Sequence, residues 1–250
     1  MEFPEMTDGP TVAIDPHVHS EESYDGHEPI ELILEHVADI ELDGVVITDH
    51  DRIDSSIRAA ELADEYGLIG IPGVEVSTAH GHLLAIGVDE RPPKGEPIDY
   101  TVELVRDMGG TAVVPHPFQR SRHGVRKRHI EDPDAIEVYN SMVFTGYRNR
   151  RARRFASRRD FPPVAASDAH YLPFVGRAYT EIELHERIPI EDVTGEIVVD
   201  AIRNGGTNVQ GKRTPINRSV RQYAKGAIRK SAYLCAKRIP GVSPAPYGSG

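Results

Sequence analysis

Seven short apolar runs, rich in β-branched residues, recur between residues 11 and 167 and end at polar or glycine-rich junctions. In chain order they are TVAID, GVVIT, IGIPGVEV, HLLAIGV, TAVVPH, AIEVY and PVAAS. Segments with helical spacing lie between them; Ile30, Leu34 and Val37, for example, fall on one side of a helix. Near-continuous apolar strands that alternate with helices are typical of a parallel sheet covered on both faces. The pattern predicts an α/β fold, either a wound sheet or a barrel.

Ionisable side chains follow these runs where the predicted strands end. They are, in order, His17, His19, His50, Glu75, His116 and Asp168. A single histidine at a strand end is more often a hydrogen-bonded structural residue than a ligand, but chance rarely repeats it after so many strands. Because the carboxyl ends of parallel barrel strands converge on one face, we expect a single pocket to collect these side chains.

The types of residue in this pocket indicate a metal site. His17 and His19 are two residues apart, so on a strand both imidazoles point to the same side and can hold one ion. Cys235 is the only cysteine, which excludes an internal disulfide and a thiolate-rich metal site within the chain. Imidazole and carboxylate ligands admit zinc, manganese or iron(II).

Five short motifs carry a resemblance to a known family. HxH at 17–19, TDH at 48–50, GxE at 73–75, PHP at 115–117 and DxH at 168–170 follow one another in this order. The set resembles the PHP (polymerase and histidinol phosphatase) domain, in its small metal-dependent phosphoesterase branch. The resemblance implies a distorted seven-stranded (β/α)7 barrel over residues 11–210 and two or three divalent ions, such as manganese, zinc or iron.

The resemblance also implies a ligand set. One ion takes His17, His19, Glu75 and Asp168; Glu75 bridges to a second ion that also takes His82 and His116; a third takes Asp25, His50 and His170. Catalytic roles fall on Glu75, Asp168 and His50, while Glu137 and Asn140 are candidates for groups that support the ligands. The remaining six histidines lie in predicted helices or polar loops rather than at strand ends, and we do not expect them to bind metal. They are His27, His36, His80, His123, His129 and His185.

Such a cluster implies phosphate-ester hydrolysis, because bound divalent ions polarise phosphoryl oxygens and lower the pKa of water from 15.7 toward about 7, giving a metal-bound hydroxide. The motif sequences resemble those of enzymes that act on nucleotide 3′,5′-bisphosphates or on 5′-phosphorylated RNA ends. Those enzymes commonly insert a helical domain, whereas only 33 residues separate His82 from His116 here. A histidinol-phosphatase-like enzyme for small metabolites and a non-catalytic module that binds nucleic acid or a polymerase remain alternatives.

Candidate groups for binding the substrate phosphate are arginines, because the guanidinium fork matches phosphate oxygens. Arg52 directly follows the TDHD segment, and Arg120 and Arg122 lie in a basic loop. For any one of them, a solvated surface charge is an equally good interpretation. The arginine-rich stretch at 147–159 has helical spacing and is either an RNA-facing surface or a solvated helix.

Charge is distributed unevenly along the chain. The last fifty residues carry ten Lys and Arg and no acid, whereas the first 200 carry 39 acidic against 19 basic residues, a formal charge of −20. We interpret residues 211–250 as a basic, partly disordered extension that either attracts RNA or another phosphate-rich partner or packs the apolar face of residues 218–238 against the barrel. No apolar run of membrane-spanning length and no signal peptide is apparent, so a cytoplasmic protein without membrane insertion is expected.

Overall fold

The computed structural model describes residues 9–143, 146–184 and 188–212 and has a mixed α/β fold. The helices are α1 (Ile30–Asp39), α2 (Asp54–Leu62), α3 (Ile98–Asp107), α4 (Gly146–Ser157) and α5 (Gly195–Arg203). Within these ranges none of the helices has the length and apolar character needed to cross a membrane.

In the described part of the chain, ten strands form two five-stranded sheets. The first has the order β10-β9-β1-β2-β3 and the second the order β4-β5-β6-β7-β8. The strands are β1 (Thr11–Val18), β2 (Gly44–Ile47), β3 (Ile69–Gly70), β4 (Gly73–Thr78), β5 (Gly81–Ile86), β6 (Thr111–Val114), β7 (Ala135–Asn140), β8 (Pro163–Ala166), β9 (Ala178–Glu183) and β10 (Thr207–Gly211).

The expected seven-stranded barrel is not confirmed, because the ladders of the described strands do not close into one cylinder. The two sheets meet instead at two seams, each spanned by a single parallel bridge. His50 pairs with Glu75 at one seam, and Val18 pairs with Ala169 at the other. Both seams pass through motifs predicted to bind metal, so the candidate site lies where the two sheets join.

The observed strands differ from the prediction at two of the seven runs. The run IGIPGVEV is split at Pro72: β3 pairs with β2 in the first sheet, and β4 begins the second. Proline has no backbone N–H to donate to a ladder, which accounts for the break. The run HLLAIGV forms β5, which is antiparallel to both β4 and β6 rather than parallel. His82 therefore lies at the start of its strand, at the edge where the parallel strands end.

A shared core holds the two sheets together. One cluster of buried side chains combines Ile14 of β1 and Val46 of β2 with Leu84 of β5, Val113 of β6 and Val164 of β8. Burying each of these aliphatic side chains contributes roughly 1.5–3 kcal/mol. A second cluster packs α1 against the first sheet through Ile30, Leu34 and Val37, the residues that the helical spacing predicts, together with Ile33.

Several predictions concern residues outside the described ranges. His185, Cys235 and nearly all of the basic extension at 211–250 belong to this group. The boundary near residue 210 and the role of the extension therefore stay predictions.

Candidate metal centre

The nine predicted ligands lie together in one buried cluster. Within the described ranges, four overlapping groups of His, Asp and Glu have ligand atoms within 4.8 Å of one another. The groups are His19-Asp25-His50-His170, His17-His19-Glu75, His17-His116-Asp168 and His50-Glu75-His82. Together they contain all nine predicted residues and no others. Whether each holds an ion, and in which partition, stays a prediction.

The four residues predicted to hold the first ion are His17, His19, Glu75 and Asp168, and their ligand atoms lie close together. The Nε2 atoms of His17 and His19 lie 3.2 Å apart, and Oε2 of Glu75 lies 3.5 Å and 3.4 Å from them. Oδ1 of Asp168 lies 3.7 Å from both nitrogens. Four ligands at about 2.0–2.1 Å from a tetrahedral ion are about 3.3–3.4 Å from one another. The spacing of the donors of His17, His19 and Glu75 therefore fits one divalent ion, and Asp168 lies slightly farther from the two imidazoles.

Glu75 occupies the middle of the cluster. Its Oε1 contacts His82 Nδ1 at 2.7 Å and His116 Nε2 at 3.1 Å. Its Oε2 lies 3.0 Å from His50 Nδ1 and also faces His17 and His19. Each carboxylate oxygen thus faces a different set of imidazoles, which is the arrangement required of a carboxylate that bridges two ions.

The third predicted set is at the outer side of the cluster. Oδ2 of Asp25 lies 3.4 Å from His50 Nε2 and 3.1 Å from His170 Nε2. Gly26, the next residue, passes so close to the Ser20 carbonyl that an added Cβ would lie 1.8 Å from its oxygen. Only glycine fits there, which explains the Asp-Gly pair after the HxH motif.

The electrostatics of the cluster favour a bound cation. Burial raises the pKa of the Glu75 carboxyl, but the imidazoles of His82, His50 and His17 outweigh it and hold that pKa well below its usual range. Burial lowers the pKa of His17, yet Asp168 and Glu75 raise it well above the ordinary value. The same carboxylates that raise the pKa of His17 would attract a bound cation, and a metal ion would compete with a proton for His17.

The backbone at two of the predicted ligands is consistent with a functional site. His116 and Asp168 have positive φ angles of 30° and 54°, which non-glycine residues seldom adopt. Backbone strain of this kind is concentrated at functional sites, where the surrounding structure maintains it.

Glu137 and Asn140 contact predicted ligands without belonging to that set, which is the role suggested for them from the sequence. Oε1 of Glu137 lies 3.1 Å from Nδ1 of His17, and Oε2 accepts a hydrogen bond of 2.5 Å from the backbone N–H of His116. Asn140 donates from Nδ2 to Glu137 at 3.0 Å and to Asp168 at 2.9 Å. These contacts fix the orientation of His17 and the carboxylate of Asp168.

Three residues near the cluster were missed from the sequence. Buried Asp15 accepts backbone hydrogen bonds of 2.9 Å from Ser167 and from Gly176, and burial raises its pKa to about 6. Asp49 accepts from the backbone and hydroxyl of Ser20. Tyr24 stacks on His50 with ring centroids 4.6 Å apart. In the sequence, Asp15 and Asp49 each lie one or two positions before a candidate ligand, and this proximity could have identified them.

The predicted phosphate-binding arginines differ in placement. Arg122 reaches into the cluster and donates from Nη1 to Oδ2 of Asp168. Although burial raises the pKa of Asp168, Arg122 and His17 lower it below its usual range. Arg52 forms an ion pair of 2.9 Å with Glu22 and is 42% exposed, and Arg120 is exposed in the loop. Of the three, only Arg122 contacts a candidate ligand in the structure.

The histidines set aside from the sequence take no part in the groups of potential ligands within the described ranges. His27 stacks on Tyr171, and His80 stacks on His129 with centroids 4.0 Å apart. His123 stacks on His82 at 5.1 Å, beside the cluster.

Comparison with known proteins yields two family matches. A model described as "PHP domain" matches residues 15–148, and one described as "PHP-associated" matches residues 146–207. Two uncharacterized proteins of Methanocaldococcus jannaschii are similar: MJ1587 at 31% identity over 43% of this chain and MJ0417 at 30% over 44%. The chain spans 64% and 49% of the length of these curated relatives.

Several solved structures share the fold. A two-domain protein from Bacteroides vulgatus, described as containing a predicted PHP-like metal-dependent phosphoesterase, has a TM-score of 0.67 at 18% identity, covering 90% of this chain and 72% of that one. PsfC from Pseudomonas syringae has a TM-score of 0.65 at 18% identity, with 89% and 99% covered. Endonuclease Q, in complex with a 27-mer duplex containing an abasic lesion, has a TM-score of 0.53 at 17% identity, with 82% and 60% covered.

Proposed function

The chain belongs to the PHP domain family, and from that membership we propose that it is a metal-dependent phosphoesterase. The observation that carries the proposal is the position of Glu75, whose two carboxylate oxygens face separate sets of imidazoles in a buried cluster. An acidic residue so surrounded is suited to bridging two divalent ions, which the nine residues would hold in the sets given above.

Divalent ions bound there would polarise a phosphoryl oxygen and lower the pKa of bound water toward about 7. The chain itself supplies orientation and charge. Glu137 and Asn140 fix the orientations of His17 and of the Asp168 carboxylate. Arg122, whose guanidinium lies at the edge of the cluster, would bind the non-bridging oxygens of the substrate phosphate.

For the substrate we propose a phosphorylated nucleotide or nucleic-acid end, with 3′,5′-bisphosphates and 5′-phosphorylated RNA as the first compounds to test. The fold shared with a DNA-bound endonuclease supports this class. The stretch between His82 and His116 does not carry the helical domain that enzymes of this class commonly insert, since its one α-helix is α3. Another surface of the chain would therefore have to hold the part of the substrate beyond the reacting phosphate.

The experiment is phosphate release from a panel of substrates after the chelator-treated protein has been reconstituted separately with manganese, zinc and iron(II). We expect hydrolysis with at least one metal and a higher kcat/KM for a bisphosphate or a 5′-phosphorylated oligonucleotide than for histidinol phosphate. No hydrolysis of any ester with any metal, despite bound metal, would favour the non-catalytic alternative. A preference for small phosphomonoesters would leave the phosphoesterase activity standing and contradict the substrate class.

A further inference from the structure

A strongly basic groove is lined by residues of α4 and by Phe118, which lies two residues after the candidate ligand His116. Its volume is about 530 Å³, and of its nine lining residues six are basic and three aromatic. The basic residues are Lys127, Arg150, Arg151, Arg154, Arg158 and Arg159. Among the residues that the structure describes, no acidic residue lines it, although the first 200 residues carry a formal charge of −20. In the part of the chain that the structure describes, no ion pair joins these six to a carboxylate.

The arginines form a row along one face of α4 and just beyond its end. Arg150, Arg154 and Arg158 are four residues apart, which places successive side chains about 6 Å apart along the axis. This interval is comparable to the distance between successive phosphates of a nucleic-acid strand. Tyr147 lies on the same face one turn earlier and is 67% exposed. An exposed aromatic ring beside a row of cations is the combination that binds single-stranded nucleic acid, by stacking and by phosphate contacts.

The opposite face of α4 is hydrogen-bonded to a residue that supports the candidate metal centre. Asn149 donates from Nδ2 to the backbone oxygen of Asn140 at 3.0 Å, and Asn140 donates to Asp168. On the other wall, the guanidinium of Arg151 lies 4.3 Å from the ring centre of Phe118, two residues after the candidate ligand His116. The groove and the cluster are therefore built from shared segments.

We propose that this groove binds the phosphodiester backbone of a single-stranded nucleic acid whose terminal phosphate lies at the metal centre. The proposal rests on the proposed function and extends it, because it assigns to the substrate several nucleotides beyond the reacting phosphate. An acidic protein partner would match the charge but would not account for the repeat of the row or for Tyr147.

The test compares two double variants of the full chain. Arg150→Gln/Arg154→Gln removes two charges from the groove, and Arg58→Gln/Arg91→Gln removes two elsewhere on the surface; glutamine keeps the helical propensity. Binding of a fluorescent 5′-phosphorylated oligodeoxythymidine of about 15 nucleotides is measured across a range of salt concentrations. We expect the groove variant to lose about tenfold in affinity and the slope of log K against log salt to flatten by about 1.4, or about 0.7 per contact.

Tyr147→Ala should weaken binding several-fold without changing the salt slope, because stacking releases no counterions. Hydrolysis of p-nitrophenyl phosphate should be unchanged in all these variants, so failure of the groove proposal is distinguishable from failure of the phosphoesterase proposal. Equal affinity and equal salt slope in the groove variant and its control would overturn the proposal. Displacement of the oligonucleotide by polyglutamate at equal charge concentration would also overturn it.

Discussion

The Nε2 atoms of His17 and His19 lie 3.2 Å apart and face Oε2 of Glu75 and Oδ1 of Asp168 across nearly equal distances. The donors come from three separate segments, and those of His17, His19 and Glu75 enclose a space the size of one ion. Two neutral imidazole nitrogens gain nothing from such proximity unless a proton or a cation lies between them. The predictions below follow from this arrangement and from the carboxylate at its centre.

Glu75→Gln should reduce phosphate release by at least about 100-fold while leaving the protein folded, because an amide cannot replace a charged carboxylate that bridges two ions. Turnover and bound metal are measured together, and Glu35→Gln on the exposed face of α1 is the matched control. Near-normal turnover in Glu75→Gln would contradict the bridging role.

His170→Ala and His50→Ala should each lower turnover but leave part of the metal bound, since the Asp25 set lies at the outer side of the cluster. Metal content per chain after dialysis measures the remainder, with His36→Ala as a control. If either variant lost all metal, the partition into three sets of ligands would be wrong.

Glu137→Gln should weaken metal affinity by about 10–100-fold, because Glu137 orients His17 without belonging to the predicted ligands. Activity at low manganese should drop and should return when manganese is in excess. A loss of activity that excess metal does not restore would indicate a direct role in the reaction instead.

Arg122→Gln should raise KM for a phosphomonoester by about tenfold, since charge-assisted hydrogen bonds to phosphate are lost. Arg120→Gln changes the same residue type two positions earlier in the same loop and should have little effect, because Arg120 is exposed. Steady-state kinetics on both variants measure the two KM values. Equal values would show that Arg122 does not bind the substrate phosphate.

The residues of the candidate site were predictable from the sequence to a greater extent than the sheet topology. Strand ends can be located from short apolar runs, and the edge of a sheet brings such ends together whichever sheet they belong to. The split at Pro72 and the reversal of β5 depend on pairing between distant segments, which the apolar runs do not specify. Strands β9 and β10 were missed because AYTEIE and TNVQG alternate apolar and polar residues and are partly exposed.

The supporting groups were predictable in part. Glu137 and Asn140 follow the strand-end rule, so the sequence indicated them. Tyr24 has no such pattern, because its stacking on His50 depends on the path of the loop between β1 and α1. Arg120 and Arg122 could not be told apart for a similar reason: the short 3-10 turn that begins at Arg120 directs one inward and the other outward.

The most direct test of the central claim is a titration of the chelator-stripped protein with manganese, zinc or iron(II), in which bound metal and phosphate release are recorded on the same sample. We predict no release without metal, and release that rises with occupancy of the cluster for at least one of these ions, in wild type but not in Glu75→Gln. Full turnover by wild-type protein that contains no measurable metal, in the presence of excess chelator, would contradict the account.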